Sequence, residues 1–453
     1  MRKEKQIDLL RGRIMPTLVK LAIPIMASSF VGLAYTLTDM FWVSMLGERA
    51  VAAVGTGGTL FWLVDSLFTL PRIGGQVLIG QSLGAGDDEG ARGWARTALR
   101  LGFFMAAVLT LIFVFLAGPL TSIFNFNDLD TVTRTEIYLR IVGIGLIPRV
   151  GVRLYSAIMT ASGNSFTPFI VFVTGLAINM ALDPLFILVF GMDVSGAALA
   201  TLVSEFAAFF MMLVAVKRNE QFSDLRLFRA PVEFRRLLPI AKLGAPVSVQ
   251  SSMQAIITVF ISRQVVRFGD LAVAAQRLGA QVESITWMTA DGFAVAVNAL
   301  MAQNFGAKKM IRVRQGYWAG FWLVSAMCTV TTMILFFLGE PIMSIFFSDQ
   351  EAIMHGANYL HILSTSQFLM GIQLLTTSAF AALGQSFVPS AIVTSLMVAR
   401  IPLGAILSKT SLGVSGIWWS ISITTNLAGL FLVIVLPFYM RRLQTPAIPA
   451  VDS

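Results

Sequence analysis

The chain is 453 residues long, 56% of it hydrophobic and only 13% charged, with a mean hydropathy of +0.78. That balance excludes a soluble protein with a polar shell. The net charge of +9 would suit nucleic acid, but the basic residues cluster in alternate loops and at the termini, a membrane-topology pattern and not a binding patch.

The N-terminal "MRKEKQIDLLRGRIMPTL" lacks a cleavage site and reads as a basic amphipathic lead-in, not a signal peptide. Apolar runs long enough to cross a hydrocarbon core then recur along the whole chain. Their lengths and punctuation predict helices over 15–45, 55–83, 94–118, 134–161, 167–190 and 196–216. A second set follows over 238–267, 277–304, 315–338, 355–383, 388–408 and 414–440. Alternating ten-residue strands are absent, so the fold class is an all-α membrane protein with twelve transmembrane helices, not a barrel. The only long polar segment, 217–236, reads as a linker between an N-terminal six-helix bundle (1–216) and a C-terminal one (237–453). Lys and Arg concentrate near both ends, in "DDEGARGWARTALR", in the linker and in "KKMIRVR", whereas "GMDVSG" and "FSDQEA" have none. The positive-inside rule then predicts a multi-pass cell-membrane protein with both termini cytoplasmic.

Cys328 is the one cysteine, so there is no disulfide framework. His355 and His361 lack partners at ligand spacing, and no metal site or catalytic cluster is expected. "GAG" at 84–86 lacks the preceding strand of a phosphate loop, so ATP is not the energy source.

Comparing the chain with itself decides the architecture. "KLAIP" (20–24) matches "KLGAP" (242–246), "GERAVAAVG" (47–55) matches "GDLAVAAQR" (269–277), and "GQSLGAGDD" (80–88) matches "AQNFGAKKM" (302–310). "GPLTSIF" (118–124) matches "EPIMSIF" (340–346). All four pairs lie 222 residues apart. After one-residue slips, "YLRI" (138–141) matches "YLHI" (359–362), "GNSFTP" (163–168) matches "GQSFVP" (384–389), and "VSG" (194–196) recurs at 414–416. Six helices per repeat leave both halves in the same orientation, a parallel repeat about an axis along the membrane normal. Rocking of two such bundles gives alternating access.

The six-plus-six repeat with "P…G(E/D)xAVAA…GQxxGA" in each half resembles the MATE family of multidrug and toxic compound extrusion transporters, over essentially the whole chain. The first-helix aspartate and "NMALDP" (179–184) are similar to its DinF-like branch. The wider superfamily also contains lipid-linked oligosaccharide flippases.

The repeat is an internal control: paired residues serve the fold, and unpaired ones mark specialisation. Asp39 in "YTLTDMFWV" is opposed by Ile261, Asp183 by Gly404 and Asn179 by Arg400. With the N-terminus inside, Asp39 and Asp183 both lie roughly 10 Å below the outer surface at 1.5 Å per residue. Tyr35 shares a helical face with Asp39, and Asn179 with Asp183; Thr201 falls at similar depth. An Asp near a helix centre costs about 2.5–3.5 kcal/mol to insert. Two are retained only if hydrated, hydrogen-bonded or protonated, which suits groups that take up and release a proton. The resemblance implies the same roles, proton coupling and bending of helix 1, for Asp39, Asn179, Asp183 and Thr201. Na⁺ remains an alternative coupling ion, since carboxylate, Asn and Thr oxygens suit a hard cation.

Pro24 and Pro184 are candidate helix kinks; Pro24 recurs as Pro246. Asp65, Arg72, Arg149, Arg153 and Glu205 are expected to form an ion network in the first bundle, and Arg263, Glu283, Asp291 and Arg400 in the second. Glu283 and Asp291 are also candidates to attract cationic substrate. The four arginines Arg149, Arg153, Arg263 and Arg400 keep a pyrophosphate-binding flippase open. With 35 Phe, 22 Met and 8 Trp, a cavity bordered by Met26, Met40, Met180, Met253 and Met288 would suit amphipathic cations. The resemblance implies proton-coupled antiport of drugs or toxins by a monomer in the lipid bilayer, without cofactor, nucleic-acid partner or enzymatic activity.

Overall fold

The computed structural model describes residues 6–126, 128–227 and 229–443. The chain ends, on which the expectation of cytoplasmic termini bears, lie outside them. The described residues are helical throughout, without a strand. The first half comprises α1 (Ile14–Ser44), α2 (Glu48–Gly84), α3 (Asp88–Phe115), the short α4 (Ala117–Ser122), α5 (Leu129–Ile144), α6 (Leu146–Ala161), α7 (Phe166–Pro184) and α8 (Asp193–Lys217). The second comprises α9 (Leu237–Val265), α10 (Asp270–Gly306), α11 (Met310–Phe337), the short α12 (Gly339–Ser344), α13 (Gln350–Ala382), α14 (Phe387–Leu407) and α15 (Val414–Arg442).

The repeat is written into these boundaries. α2 and α10 are both 37 residues long, and both begin and end 222 positions apart. α3 and α11 repeat the relation at 28 residues. Gly47 (φ 96°) and Gly269 (φ 97°) open α2 and α10 from the left-handed region, where a Cβ would be strained. Asp128 and Asp349 cap α5 and α13 by accepting first-turn N–H groups. Inside the bundles, a Cβ on Gly57 would lie 2.5 Å from Tyr138 Cε1, and one on Gly279 would lie 2.2 Å from Tyr359 Cδ1. The same glycine thus admits the same tyrosine ring in each half.

Two differences from the expected spans have physical causes. The span placed at 134–161 is two helices, α5 and α6, bent by 44°. Pro148 cannot donate to the carbonyl of Ile144, and its ring opposes a straight continuation. In α13 the equivalent position is Leu369, and the helix runs unbroken through it. Among the described residues, ten helices are long and apolar enough to cross a membrane, eleven with the bent pair. The twelfth, α13, is too polar for that test because it is an interior helix: 19 of its 33 residues are buried, against α10, α11 and α15. Pro24 lies within an uninterrupted α1. At Pro184 the α-helix gives way to a π-helical turn, Leu185–Val189.

The chain forms two compact units. Unit 1 holds residues 6–7 and 27–244, and unit 2 holds 8–26 and 245–443. The crossings fall inside α1, just after Pro24, and inside α9, just before Pro246. In unit 2 Met26 packs on Gly292 of α10; in unit 1 Ile240 packs on Gly74 of α2. The segment before each of these helices is strapped down by arginines. In unit 1 the Arg100 guanidinium donates to the carbonyls of Leu227 (2.6 Å), Ala230 (2.6 Å) and Pro231 (2.8 Å), and Arg92 donates to Gln221 O. In unit 2 Arg312 donates to Gly12 O (2.9 Å), and Asn304 to Leu9 O (2.9 Å). Basic residues that read as topology signals therefore also hold backbone in place.

Gly57→Ala and Gly279→Ala should each lower stability by about 1–3 kcal/mol through overpacking against tyrosine, read as a lower unfolding temperature in detergent. Arg100→Met should expose the 217–236 linker to limited proteolysis while leaving α3 folded, judged by the helical circular dichroism.

Candidate functional site

The proton-coupling candidates meet inside unit 1. α1 supplies Tyr35 and Asp39, α7 supplies Asn179 and Asp183, and α8 supplies Thr201. Asn179 and Asp183 are fully buried and Thr201 nearly so (0%, 0% and 2% exposed). Their four-residue spacing puts Asn179 and Asp183 on one face of α7, and the Asn179 amide donates to Asp183 Oδ1 (3.3 Å). Thr201 donates across to Asp39 Oδ2 (3.3 Å). Asp183 and Asn179 also lie close to the Asp39 carboxyl.

Three oxygens in this cluster, Asp39 Oδ1, Asn179 Oδ1 and Asp183 Oδ2, are buried without a hydrogen-bond partner among the described residues. All three are acceptors. A buried acceptor left unsatisfied costs about 1–3 kcal/mol, more when charged. One proton on either carboxyl creates a donor that can reach such an acceptor.

Ser204 was not singled out in the sequence. It lies one helical turn after Thr201 on α8 and is 1% exposed. Its hydroxyl donates to Thr201 O (2.8 Å), so it accepts from the Tyr35 hydroxyl (2.6 Å). This contact ties Tyr35 to the coupling face of α8. The period of the helix was the available signal, since Thr201 and Ser204 are three apart.

A second polar group lies next to the first. Arg149 Nε is 2.6 Å from Glu205 Oε1, and Arg153 Nη2 is 2.8 Å from Asp65 Oδ2. The Arg149 guanidinium also lies 5.3 Å from the centroid of the Phe61 ring. Glu205 occupies the α5–α6 bend, where a Cβ on Gly145 would lie 2.5 Å from its Oε2. Glycine and Pro148 together make room for this ion pair. The expected network of the first bundle thus consists of paired charges, whereas Asp39 and Asp183 face each other.

In unit 2 Glu283 and Arg400, both expected in an ion network, have neutral hydrogen-bond partners. Glu283 accepts from Tyr359 Oη (3.2 Å) and Gln367 Nε2 (2.8 Å). Arg400 donates to Thr424 Oγ1 (2.9 Å) and Thr425 Oγ1 (3.0 Å). Arg263 is exposed. Asp291 is half-buried and has an interaction partner. The candidate cavity methionines are divided: Met40 and Met180 belong to unit 1, and Met26, Met253 and Met288 to unit 2. Met180 is 47% exposed, on the side of α7 away from its buried neighbour Asn179. Among the described residues no group of three or more His, Cys, Asp or Glu could hold a metal ion.

The MatE family profile matches the chain twice, over residues 24–185 and 246–406, one match in each half of the repeat. "Probable multidrug resistance protein NorM" of Thermotoga maritima is 27% identical over 416 residues, covering 88% of this chain and 87% of that protein. A "FAD transporter" of Shewanella oneidensis is 23% identical over 430 residues, covering 93% and 94%. The fold superposes on a solved structure titled the outward-facing conformation of a multidrug resistance MATE family transporter, with a TM-score of 0.90, 23% identity and coverage of 98% and 100%. With both halves matched across most of their length, the chain belongs to the MatE family, whose members are membrane transporters and not enzymes.

Proposed function

We propose that this chain is a secondary active multidrug efflux transporter that exchanges amphipathic, mostly cationic compounds for protons by alternating access. The observation that carries this reading is the cluster of three buried, unpartnered acceptor oxygens on Asp39, Asn179 and Asp183. The printed name of the Thermotoga relative supports the substrate class.

The chemistry follows from charge balance. Asp39 and Asp183 form an anionic pair whose hydrogen-bond donors, Asn179 and Thr201, are neutral. Outward, a proton binds one carboxyl, and its O–H donates to Asn179 Oδ1 or to the opposite carboxylate. Neutralising the pair weakens its hold on a cationic substrate, which leaves. Inward, the proton departs and the restored charge favours substrate again. Thr201 and the Tyr35–Ser204 contact link this event to α8 and α1. Each proton supplies about 2.3 kcal/mol per 100 mV of membrane potential and about 1.4 kcal/mol per unit of pH difference.

Sodium is the competing coupling ion, since the same oxygens suit a hard cation. Of the four arginines that a pyrophosphate-binding flippase would use, Arg149 and Arg153 are paired with Glu205 and Asp65, which weighs against their holding a pyrophosphate. On this reading the protein works in the cell membrane as a monomer, with both termini inside.

Purified protein in proteoliposomes, loaded with ethidium and given a proton or a sodium gradient separately, tests this directly. Efflux should follow the proton gradient alone. Asp39→Asn should reduce gradient-driven efflux at least tenfold, with unfolding temperature within a few degrees of the parent. Full export by Asp39→Asn would refute the assignment, and efflux driven by sodium alone would replace the ion.

A further inference from the structure

The opening turns of α1 and of α9 bury one face and expose the other in the same register. Leu18, Leu21 and Ala22 are buried at the start of α1; 222 residues on, Ile240, Leu243 and Gly244 are buried at the start of α9. Arg13, Pro16 and Lys20 are exposed, and so are their repeat partners Arg235, Leu238 and Lys242. Each stretch therefore presents the same two cations, an arginine and a lysine seven residues later, two helical turns apart on the exposed side. Arg235 and Lys242 also have an interaction within the protein and remain exposed with it.

Large apolar side chains stand exposed beside these cations. Met15 is 44% exposed; Val232, Phe234 and Leu238 are 55%, 74% and 61% exposed. Facing water, so much apolar surface would be costly. Its place in the fold accounts for it. Both stretches open helices long and apolar enough to cross a membrane, Ile14–Ser44 and Phe234–Phe268. At that depth the stems of Lys and Arg lie along acyl chains while their charged heads reach phosphate, and apolar side chains meet the acyl boundary. No Asp or Glu occurs from Leu9 to Thr38 or from Phe234 to Gly269, so neither stripe is neutralised from its own helix. Nearby basic residues of unit 1 are used differently. Arg100 bonds backbone carbonyls, Arg96 meets Glu89, and Arg236 meets Glu233 and lies 4.6 Å from the centroid of the Trp94 ring. They hold the linker against α3 and leave Phe234 and Arg235 on the outside.

We propose that each stripe binds the headgroup of an anionic phospholipid, through Arg13 and Lys20 on α1 and through Arg235 and Lys242 on α9, with Met15 and Phe234 at the acyl boundary. Neither stripe includes a residue of the Asp39–Asp183 cluster, so lipid binding here is independent of ion coupling.

Met15→Trp and Phe234→Trp each place a fluorophore in one stripe of the full-length protein. The protein is reconstituted in phosphatidylcholine bilayers containing a small fraction of brominated phosphatidylglycerol or brominated phosphatidylcholine. The fluorescence added by each substitution, relative to the parent, is then compared for quenching. Phosphatidylglycerol should quench more strongly at both sites, and added salt should weaken the preference. A basic side chain near a membrane surface contributes about fivefold in association with anionic lipid. Arg235→Gln/Lys242→Gln should therefore lower the preference at least fivefold in the Phe234→Trp protein and leave it unchanged in the Met15→Trp protein. Arg13→Gln/Lys20→Gln should do the reverse. The exchange Arg235→Lys/Lys242→Arg should keep the preference. Equal quenching by the two lipids overturns the proposal, and so does a preference that persists when both cations of its stripe are replaced. If a double Gln variant does not fold, the salt series decides for that stripe: a preference unchanged in high salt refutes binding by the two cations.

Discussion

Two carboxylates, Asp39 and Asp183, face each other inside unit 1 with donors on one side only. Thr201 and Asn179 each donate one hydrogen bond, and one oxygen of each carboxylate is left buried and unpartnered among the described residues. Burial makes that arrangement costly, and a proton relieves it at either carboxyl. A fold that sought only stability would have placed apolar side chains here, as the second half does at Ile261 and Gly404. The neighbouring charges set the contrast: Arg149 meets Glu205 and Arg153 meets Asp65, so that part of the bundle is compensated within the chain. The imbalance is confined to the place where an ion is proposed to enter and leave.

The repeat supplies the frame on which this imbalance is built. Helices of equal length, glycines in the same backbone conformation and tyrosines seated on the same glycines recur in both halves. The departures from the repeat collect in the polar interior. Pro148 breaks the first half at α5–α6, where Leu369 lets α13 run straight, and the break opens the space that Glu205 fills. α1 and α9 add a mechanical element, because each is divided between the two units near a proline. Asp39 lies on the part of α1 in unit 1, whereas the part before Ala27 belongs to unit 2, where Met26 packs on Gly292 and Arg312 and Asn304 hold the preceding segment.

The sequence made the repeat legible because 222-residue spacing survives in short motifs, and the polar cluster of the proposed coupling site legible because the repeat exposed its members as unmatched. Helical period placed Tyr35 with Asp39 and Asn179 with Asp183. Ser204 was missed because a serine in an apolar helix carries little signal until its partner, Tyr35, is known. The α5–α6 bend was missed although Gly145 and Pro148 were both visible. A helix can absorb a proline, and only the Glu205 carboxylate against Gly145 shows why this one does not run straight. In the second half, Glu283 and Arg400 were visible as charges, but their partners are neutral hydroxyls and amides from α13 and α15, and no spacing rule links residues so far apart in the chain. The methionines were grouped by composition, and the fold divides them between the units.

The central claim is that substrate and proton compete for the charge of the Asp39–Asp183 pair. It is tested most directly by counting protons released when ethidium binds to the purified protein in weakly buffered detergent near neutral pH. The account predicts release of protons from the parent and none from Asp39→Asn. Ethidium binding with no proton release from the parent, or equal release from Asp39→Asn, would contradict it.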